Sequence, residues 1–420
     1  MNGAERKIEL EKLSAELAEV RSLGLRLDMS RGKPSPRQLD LVTEIFSKVD
    51  YTEYLSEEGM DCRNYGGLYG IREMRKIFAG MLQTDIERVW CLGSSSLNIE
   101  YDILARCLLF PLPGQEKSWF ATKTRFICPV PGYDRHFAML EQFGIEMVPV
   151  PLLADGPDMD KVEALCAADS TIKGMWIVPL YSNPDGTVYS EACLRRLFRM
   201  QAAGDFRIFA DMAYCVHHLS DVKQQQASIP ELLSLAEEEG NPDRVWVFTS
   251  TSKITYAGAG VACVAMSSRN QEWVLPSLSS QMIGADKLSQ LRHARFFALA
   301  GGVERVMSMH ADSLRVKFSA ALAVLDAGLK PAGIADWKSP HGGYFISVNL
   351  FPGTALQTVA LCKELGVHLT AAGSTYPYGN DVADSNVRIA PSYPELPELE
   401  QAMRIFCLAS RYVALQKLED

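Results

Sequence analysis

No apolar run in the 420-residue chain approaches the ~20 residues that a membrane-spanning helix needs, so an integral helical membrane protein is excluded. Glu5-Arg6-Lys7-Ile8-Glu9-Leu10-Glu11-Lys12 alternates charge where a signal peptide needs an apolar core, so no export leader is expected and the protein is expected in the cytoplasm. The Lys and Arg residues form no sustained run and the net charge is −9, which leaves no electrostatic footprint for nucleic acid. Small molecules are the expected partners. Cys-x-x-Cys is absent among the ten cysteines, and His-x-x-x-His among the seven histidines, so a bound metal is not expected. Thiols spread from Cys62 to Cys407 read as reduced and buried, not as a disulfide scaffold.

What is there is a folded globular composition, 47% hydrophobic and 22% charged, at a length that suits two domains with a cleft between them. Ile8, Leu13, Leu17 and Val20 stand at helical spacing over residues 5 to 23 and predict an amphipathic helix. The glycine and prolines of Asp28-Met29-Ser30-Arg31-Gly32-Lys33-Pro34-Ser35-Pro36 make the next segment a loop able to line a site.

From about residue 85 to 266, short apolar or β-branched runs alternate with helical stretches, the pattern of βα units on a largely parallel sheet. Seven strands are predicted, at 89–92, 125–128, 147–150, 175–178, 208–210, 245–248 and 261–264. Helical patterning dominates after about 290, followed by strands at 342–348 and 386–390 in a smaller lobe. The expected division is a large domain over 50–290 and a small one formed by 1–49 with 291–420, hinged in the 267 to 300 region.

In open α/β sheets ligands sit beyond the carboxyl ends of the strands, and polar residues follow five of these runs. Gly93-Ser94-Ser95-Ser96 opens a helix, where free backbone N–H groups favour a phosphate, although serines also cap helices that bind nothing. Tyr133 offers a ring face, and Asn183 in Ser-Asn-Pro-Asp-Gly is either a site residue or a turn residue. Asp211 ends an apolar strand, where desolvation calls for a cationic partner. Lys253 follows another strand in Ser250-Thr251-Ser252-Lys253. A lysine there is costly to bury unless paired, deprotonated or covalently used, and snorkelling to the surface is the ordinary alternative.

Taken together and in order, these pieces resemble the fold-type I, class I pyridoxal-phosphate-dependent aminotransferases over nearly the whole chain. The resemblance is carried by Asn64-Tyr65-Gly66-Gly67-Leu68-Tyr69-Gly70 with Arg75 downstream, Pro131-Gly132-Tyr133-Asp134-Arg135-His136, Asn183-Pro184, Asp211-x-x-Tyr214, Ser250-x-Ser252-Lys253 and Val387-Arg388-Ile389. Ser-Lys-Ile-Thr-Tyr-Ala-Gly-Ala-Gly, Ser-Arg-Gly-Lys-Pro-Ser and Gly-Ser-Ser-Ser-Leu-Asn are most similar to the aspartate aminotransferases set apart as type Ic.

The resemblance implies a large, mostly parallel seven-stranded α/β domain sandwiched by helices, a smaller α+β domain, and a homodimer. It implies transamination, with aspartate and 2-oxoglutarate giving oxaloacetate and glutamate. Lys253 is then the catalytic residue, joined to pyridoxal 5'-phosphate as the internal aldimine and carrying the Cα proton. Asp211 pairs with the pyridinium nitrogen, supported by His136; Asn183 and Tyr214 bond the phenolic oxygen; Tyr133 stacks on the ring. Ser94, Ser95, Ser96 and Ser250 form the phosphate cradle, and Tyr65 reaches the phosphate of the neighbouring subunit. Arg388 and Asn183 hold the substrate α-carboxylate, and Gly32 belongs to a loop that closes over it.

Two departures from the family stand out. Val261 occupies the place, eight residues after Lys253, where most members carry a phosphate-neutralising arginine. No motif marks the residue that would grip a distal carboxylate; Arg31, Lys33 and Arg37 are the candidates. Ser250-Thr251-Ser252-Lys253 also satisfies the Ser-x-x-Lys of serine β-lactamases, but the Tyr181-Ser182-Asn183 element precedes it and no Lys-Thr-Gly occurs. Other readings left open are an aminotransferase of aromatic or aliphatic specificity and a non-catalytic protein that senses an effector through bound pyridoxal phosphate.

Overall fold

A computed structural model describes residues 3–418. Its centre is an eight-stranded sheet whose order, by first residue, is 89, 262, 245, 207, 172, 125, 146 and 156. All seven expected runs are strands of it: Val89–Gly93, Arg125–Val130, Glu146–Leu153, Ile172–Ile177, Arg207–Asp211, Val245–Ser250 and Ala262–Ala265. The eighth is the two-residue Gly156–Pro157, which folds back on Glu146–Leu153 as an antiparallel hairpin and is too short to carry a pattern.

The five strands from 245 to 146 run parallel, while Ala262–Ala265 is antiparallel to both its neighbours. Helices cover both faces, so the central strands are buried at every position and read as continuous apolar runs. Residues still alternate between two cores. Phe126, Trp176, Phe209, Trp246 and Phe248 pack on one face, Ile127, Met175, Ile177, Ile208, Ala210 and Val247 on the other.

A three-stranded antiparallel sheet, Ala335–Trp337, Ile346–Leu350 and Asn386–Ile389, lies apart from the large one. Its middle strand begins later than expected, because Gly342 and Gly343 belong to a turn pressed against Tyr181, where a side chain at Gly342 would meet the ring at 2.4 Å. The first helix, Gly3–Ser22, buries Leu13 and Leu17 against the long helix Leu396–Lys417 but leaves Ile8 exposed, so its apolar stripe is shorter than the sequence implies. Leu27–Asp28 then pairs in parallel with Val367–His368, which fastens the N-terminal segment to the C-terminal part of the chain. Pro36 opens the following helix at a position where its missing N–H costs nothing, behind a Ser35–Gln38 capping box. All ten cysteines are buried and unpaired.

Candidate active site

Strand register builds the site. Ala262 pairs with Gly93 on one side and with Ser250 on the other, so the serine turn and the Ser250 turn emerge next to each other from strands running in the same direction. The connection from 251 to 261 is closed by Thr251, whose N–H donates to Val261 O and whose hydroxyl accepts from Val261 N at 3.0 Å. Thr251 O in turn accepts the N–H groups of Ile254 and Thr255, so Lys253 sits in a tight, bonded turn. Gly260 lies against the serine turn, where a Cβ would come within 2.8 Å of Ser94 O. Val261 is buried, with its N–H committed to Thr251, and offers no charge to a phosphate.

Lys253 is half-buried, with Nζ 4.9 Å from the centre of the Tyr214 ring. Burial lowers the pKa of its amine, against the opposing charges of Asp211 and Glu100. A nucleophilic amine needs that direction of shift. Asp211 ends its strand with Oδ1 accepting from the Ala213 N–H at 2.9 Å, while Oδ2 lies 3.4 Å from His136 Nε2.

The same His136 nitrogen is 3.5 Å from Glu100 Oε2, and all three side chains are buried. His136 is stacked on Trp176 at 4.2 Å and met edge-on by Tyr133. Neither Glu100 oxygen nor His136 Nε2 finds a hydrogen-bond partner of good geometry. Burial and the Asp211 charge push the Glu100 carboxyl up to about 7. Burial alone would lower His136, but Asp211 and Glu100 outweigh it and hold the imidazole at about 9. By residue type this triad could ligate a metal, its ligand atoms lying within 4.8 Å of one another; two carboxylates against one imidazolium equally suit a cationic ring nitrogen.

Arg388 leaves the strand Asn386–Ile389 and is nearly enclosed. Nη1 donates to Asp134 Oδ1 at 2.8 Å and to Asn183 Oδ1 at 3.3 Å, Nη2 donates to the Thr370 hydroxyl at 3.4 Å, and the guanidinium lies 4.9 Å over Phe345. Thr370 Oγ1 itself donates to Ser30 O at 2.6 Å. Gly32 packs on the same Phe345, whose ring would be 2.3 Å from any Cβ at that position. The N-terminal loop, Arg388 and Asn183 are thus in one place.

The serines are used unequally. Ser95 caps the helix Ser96–Leu109, accepting from Asn98 N and donating to Asn98 Oδ1 at 2.7 Å, so helix capping occupies its hydroxyl. Ser94 is exposed, and Ser96 is the first helical residue with its N–H at the helix start. Ser250 Oγ is 3.0 Å from Ser252 Oγ. Tyr133 and Tyr214 are buried enough that both phenols are raised above their ordinary range, Tyr133 also by Asp211, Asp134 and Glu100. Tyr65 is 82% exposed. Beside it Lys287 is buried with Nζ donating to Gly66 O at 2.7 Å. Of the candidate distal cations, Lys33 sits 3.8 Å over the Tyr393 ring, while Arg31 and Arg37 are exposed.

Glu100, Asp134 and Thr370 were not singled out from the sequence. A signal existed for Glu100, which shares the helical face of Ile103, Leu104 and Cys107, an apolar stripe in which a carboxylate is out of place. Asp134 and Thr370 carry no such mark. A cavity of about 1080 Å³ lies elsewhere, lined by Met81, Met212, Cys215, Ile229, Phe297 and Met307 among others, and none of the expected site residues borders it.

A largely parallel sheet with the amine of Lys253 and the buried carboxylate of Asp211 at its strand ends, and Arg388 brought near Asn183 from the separate antiparallel sheet, has the architecture of an aminotransferase of fold type I. The Aspartate amino-transferase family profile matches residues 3–420, and the chain belongs to that family. It is 45% identical over 395 residues to the aspartate aminotransferase of Corynebacterium glutamicum, covering 94% of this chain and 90% of that one. A crystal structure of an aspartate transaminase from that organism superposes with a TM-score of 0.95 at 42% identity, covering 99% of this chain and 98% of the other. At 19% identity, an alpha-aminoadipate aminotransferase from Thermus thermophilus, solved with N-(5'-phosphopyridoxyl)-L-leucine, shares the fold with a TM-score of 0.74, covering 97% of this chain and 95% of that one.

Proposed function

We propose that this aminotransferase uses pyridoxal 5'-phosphate and prefers aspartate and glutamate as amino donors, with 2-oxoglutarate and oxaloacetate as acceptors. The observation that carries the reading is Lys253, a half-buried amine with a lowered pKa, set at the strand ends beside Asp211. The residues fit the cofactor. Asp211 supplies a buried carboxylate able to pair with a protonated pyridine nitrogen, with His136 beside it. Bound there, pyridoxal phosphate supplies an electron sink for the electrons released at the substrate Cα.

The protein's own groups do the rest. Asp211, backed by His136, would hold the ring nitrogen, Tyr133 would cover the ring, and Asn183 and Tyr214 would bond its phenolic oxygen. Ser94, Ser250 and the N–H groups that open the helix Ser96–Leu109 receive the phosphate. Arg388 and Asn183 fix the α-carboxylate, and the Gly32 loop excludes water above Phe345. With the substrate so oriented, Lys253 Nζ is the base that would take the proton from the substrate Cα. Aspartate preference is supported by the name and similarity of the Corynebacterium relative.

The division into a large domain over 50–290 and a small one of 1–49 with 291–420, a homodimer completed by Tyr65 across the interface, and a cytoplasmic location belong to the same proposal. No described helix is long and apolar enough to cross a membrane.

The test is a half-reaction screen, each amino acid being offered to the holoenzyme and conversion followed by absorbance. Aspartate and glutamate are expected to react fastest. Borohydride reduction and peptide mapping should find a pyridoxyl group on Lys253, and Lys253→Ala should lose at least ~10³-fold in kcat. Protein that takes up no pyridoxal phosphate would falsify the proposal; a fast aromatic donor would overturn only the specificity.

A further inference from the structure

Arg388 is already engaged by a carboxylate of its own chain. Asp134 Oδ1 accepts from Nη1 at 2.8 Å, and Asn183 Oδ1 shares that nitrogen at 3.3 Å. The Thr370 hydroxyl is on Nη2, while Nε is buried without a partner. Bidentate recognition of a carboxylate needs two neighbouring N–H groups, and a carboxylate that meets the end-on Nη1–Nη2 fork finds Nη1 already held by Asp134 and Asn183.

The pair is also asymmetric. The Arg388 side chain is 7% exposed and that of Asp134 is 30%. A displaced Asp134 can be hydrated, since it opens the helix Asp134–Gln142 and is already partly exposed. Arg388 has no such escape: without Asp134 it would keep only the neutral Asn183 and Thr370 acceptors and the face of Phe345. A buried cation left that way is costly.

We propose that Asp134 is a resident competitor for Arg388, so that substrate binding exchanges one carboxylate for another and Asp134 sets how tightly every substrate is held. This rests on the reading that Arg388 grips the α-carboxylate. Asp134 is a positioning residue: it keeps the guanidinium in place between turnovers and yields it when substrate arrives. Because the exchange concerns the carboxylate common to all α-amino and 2-oxo acids, its effect is independent of the side chain.

The experiment compares Asp134→Asn with the parent holoenzyme. Asparagine keeps the shape and one acceptor for Nη1 while removing the charge. KM is expected to fall about fivefold for aspartate and by the same factor for a poorer amino donor, with kcat changed less than about twofold. The Kd of the unreactive dicarboxylate maleate, read from the cofactor absorbance, should fall equally; this readout does not depend on turnover. An unchanged or raised KM, or a shift confined to one substrate, overturns the proposal. Arg388→Lys is measured alongside. If that variant binds maleate as the parent does, the reading of Arg388 itself fails; if it binds weakly while Asp134→Asn is neutral, only the competitor role fails.

Discussion

Glu100 places a second carboxylate against His136 where one imidazole proton cannot serve two acids at close range. Its carboxyl is pushed up to about 7 from an ordinary value near 4.5, so between these pH values the folded chain holds a proton that the unfolded chain has released. His136, raised to about 9 from 6.5, does the same in the next window. Both groups bind more protons when folded, and stability therefore falls as pH rises, first through Glu100 and then through His136. Glu100→Gln removes the first contribution and weakens the second. Thermal melts of the cofactor-free protein should show the variant gaining on the parent as pH rises from 5 to 8. A parallel offset at every pH would mean that Glu100 does not titrate in this range. The chemistry-bearing residues Lys253, Asp211, Asn183 and Arg388 were legible because each ends a strand or lies in a motif. Asp134 and Thr370 were not, because an aspartate at a helix start and a threonine in a connection are ordinary capping and turn residues until the fold brings Arg388 to them.

Among the elements, the long buried strands of the large sheet announce themselves through continuous apolar runs, since both faces are covered. Elements held by partners distant in sequence do not. Leu27–Asp28 is two residues long and pairs with Val367–His368, and Ala335–Trp337 is three residues without a buried position. The loop that follows Leu27–Asp28 carries a direct prediction. Gly32→Ala would drive a methyl group into Phe345, the ring beneath Arg388. Substrate KM should rise by about tenfold, consistent with a steric cost of ~1–3 kcal/mol partly relieved by loop movement, while cofactor affinity stays within about twofold. Equilibrium titration with pyridoxal phosphate and steady-state kinetics separate the two. Weakened cofactor binding with an unchanged KM would place Gly32 elsewhere in the mechanism.

At the scale of the whole molecule, Tyr65 is an expected site residue whose side chain is 82% exposed in the single chain. A second subunit accounts for this exposure if Tyr65 completes the partner's phosphate site. Complementation tests it. Lys253→Ala and Tyr65→Ala proteins, each nearly inactive alone, should recover about a quarter of parental activity after co-refolding or subunit exchange, because half the dimers are mixed and each holds one intact site. Mixtures no better than the sum of their parts would show that Tyr65 serves its own subunit or none.

The Leu27–Asp28 pairing bears on turnover as well as on folding. Residues 27–28 are hydrogen-bonded to 367–368, and two residues further along each segment Ser30 O accepts the hydroxyl of Thr370, which also receives Arg388 Nη2. The proposed cover over the substrate and its proposed grip, Arg388, are therefore joined through Thr370. On the proposed function, lifting the cover to let product out would also pull on the grip, and a change that stiffens this seam should slow product release even where it leaves the chemistry untouched.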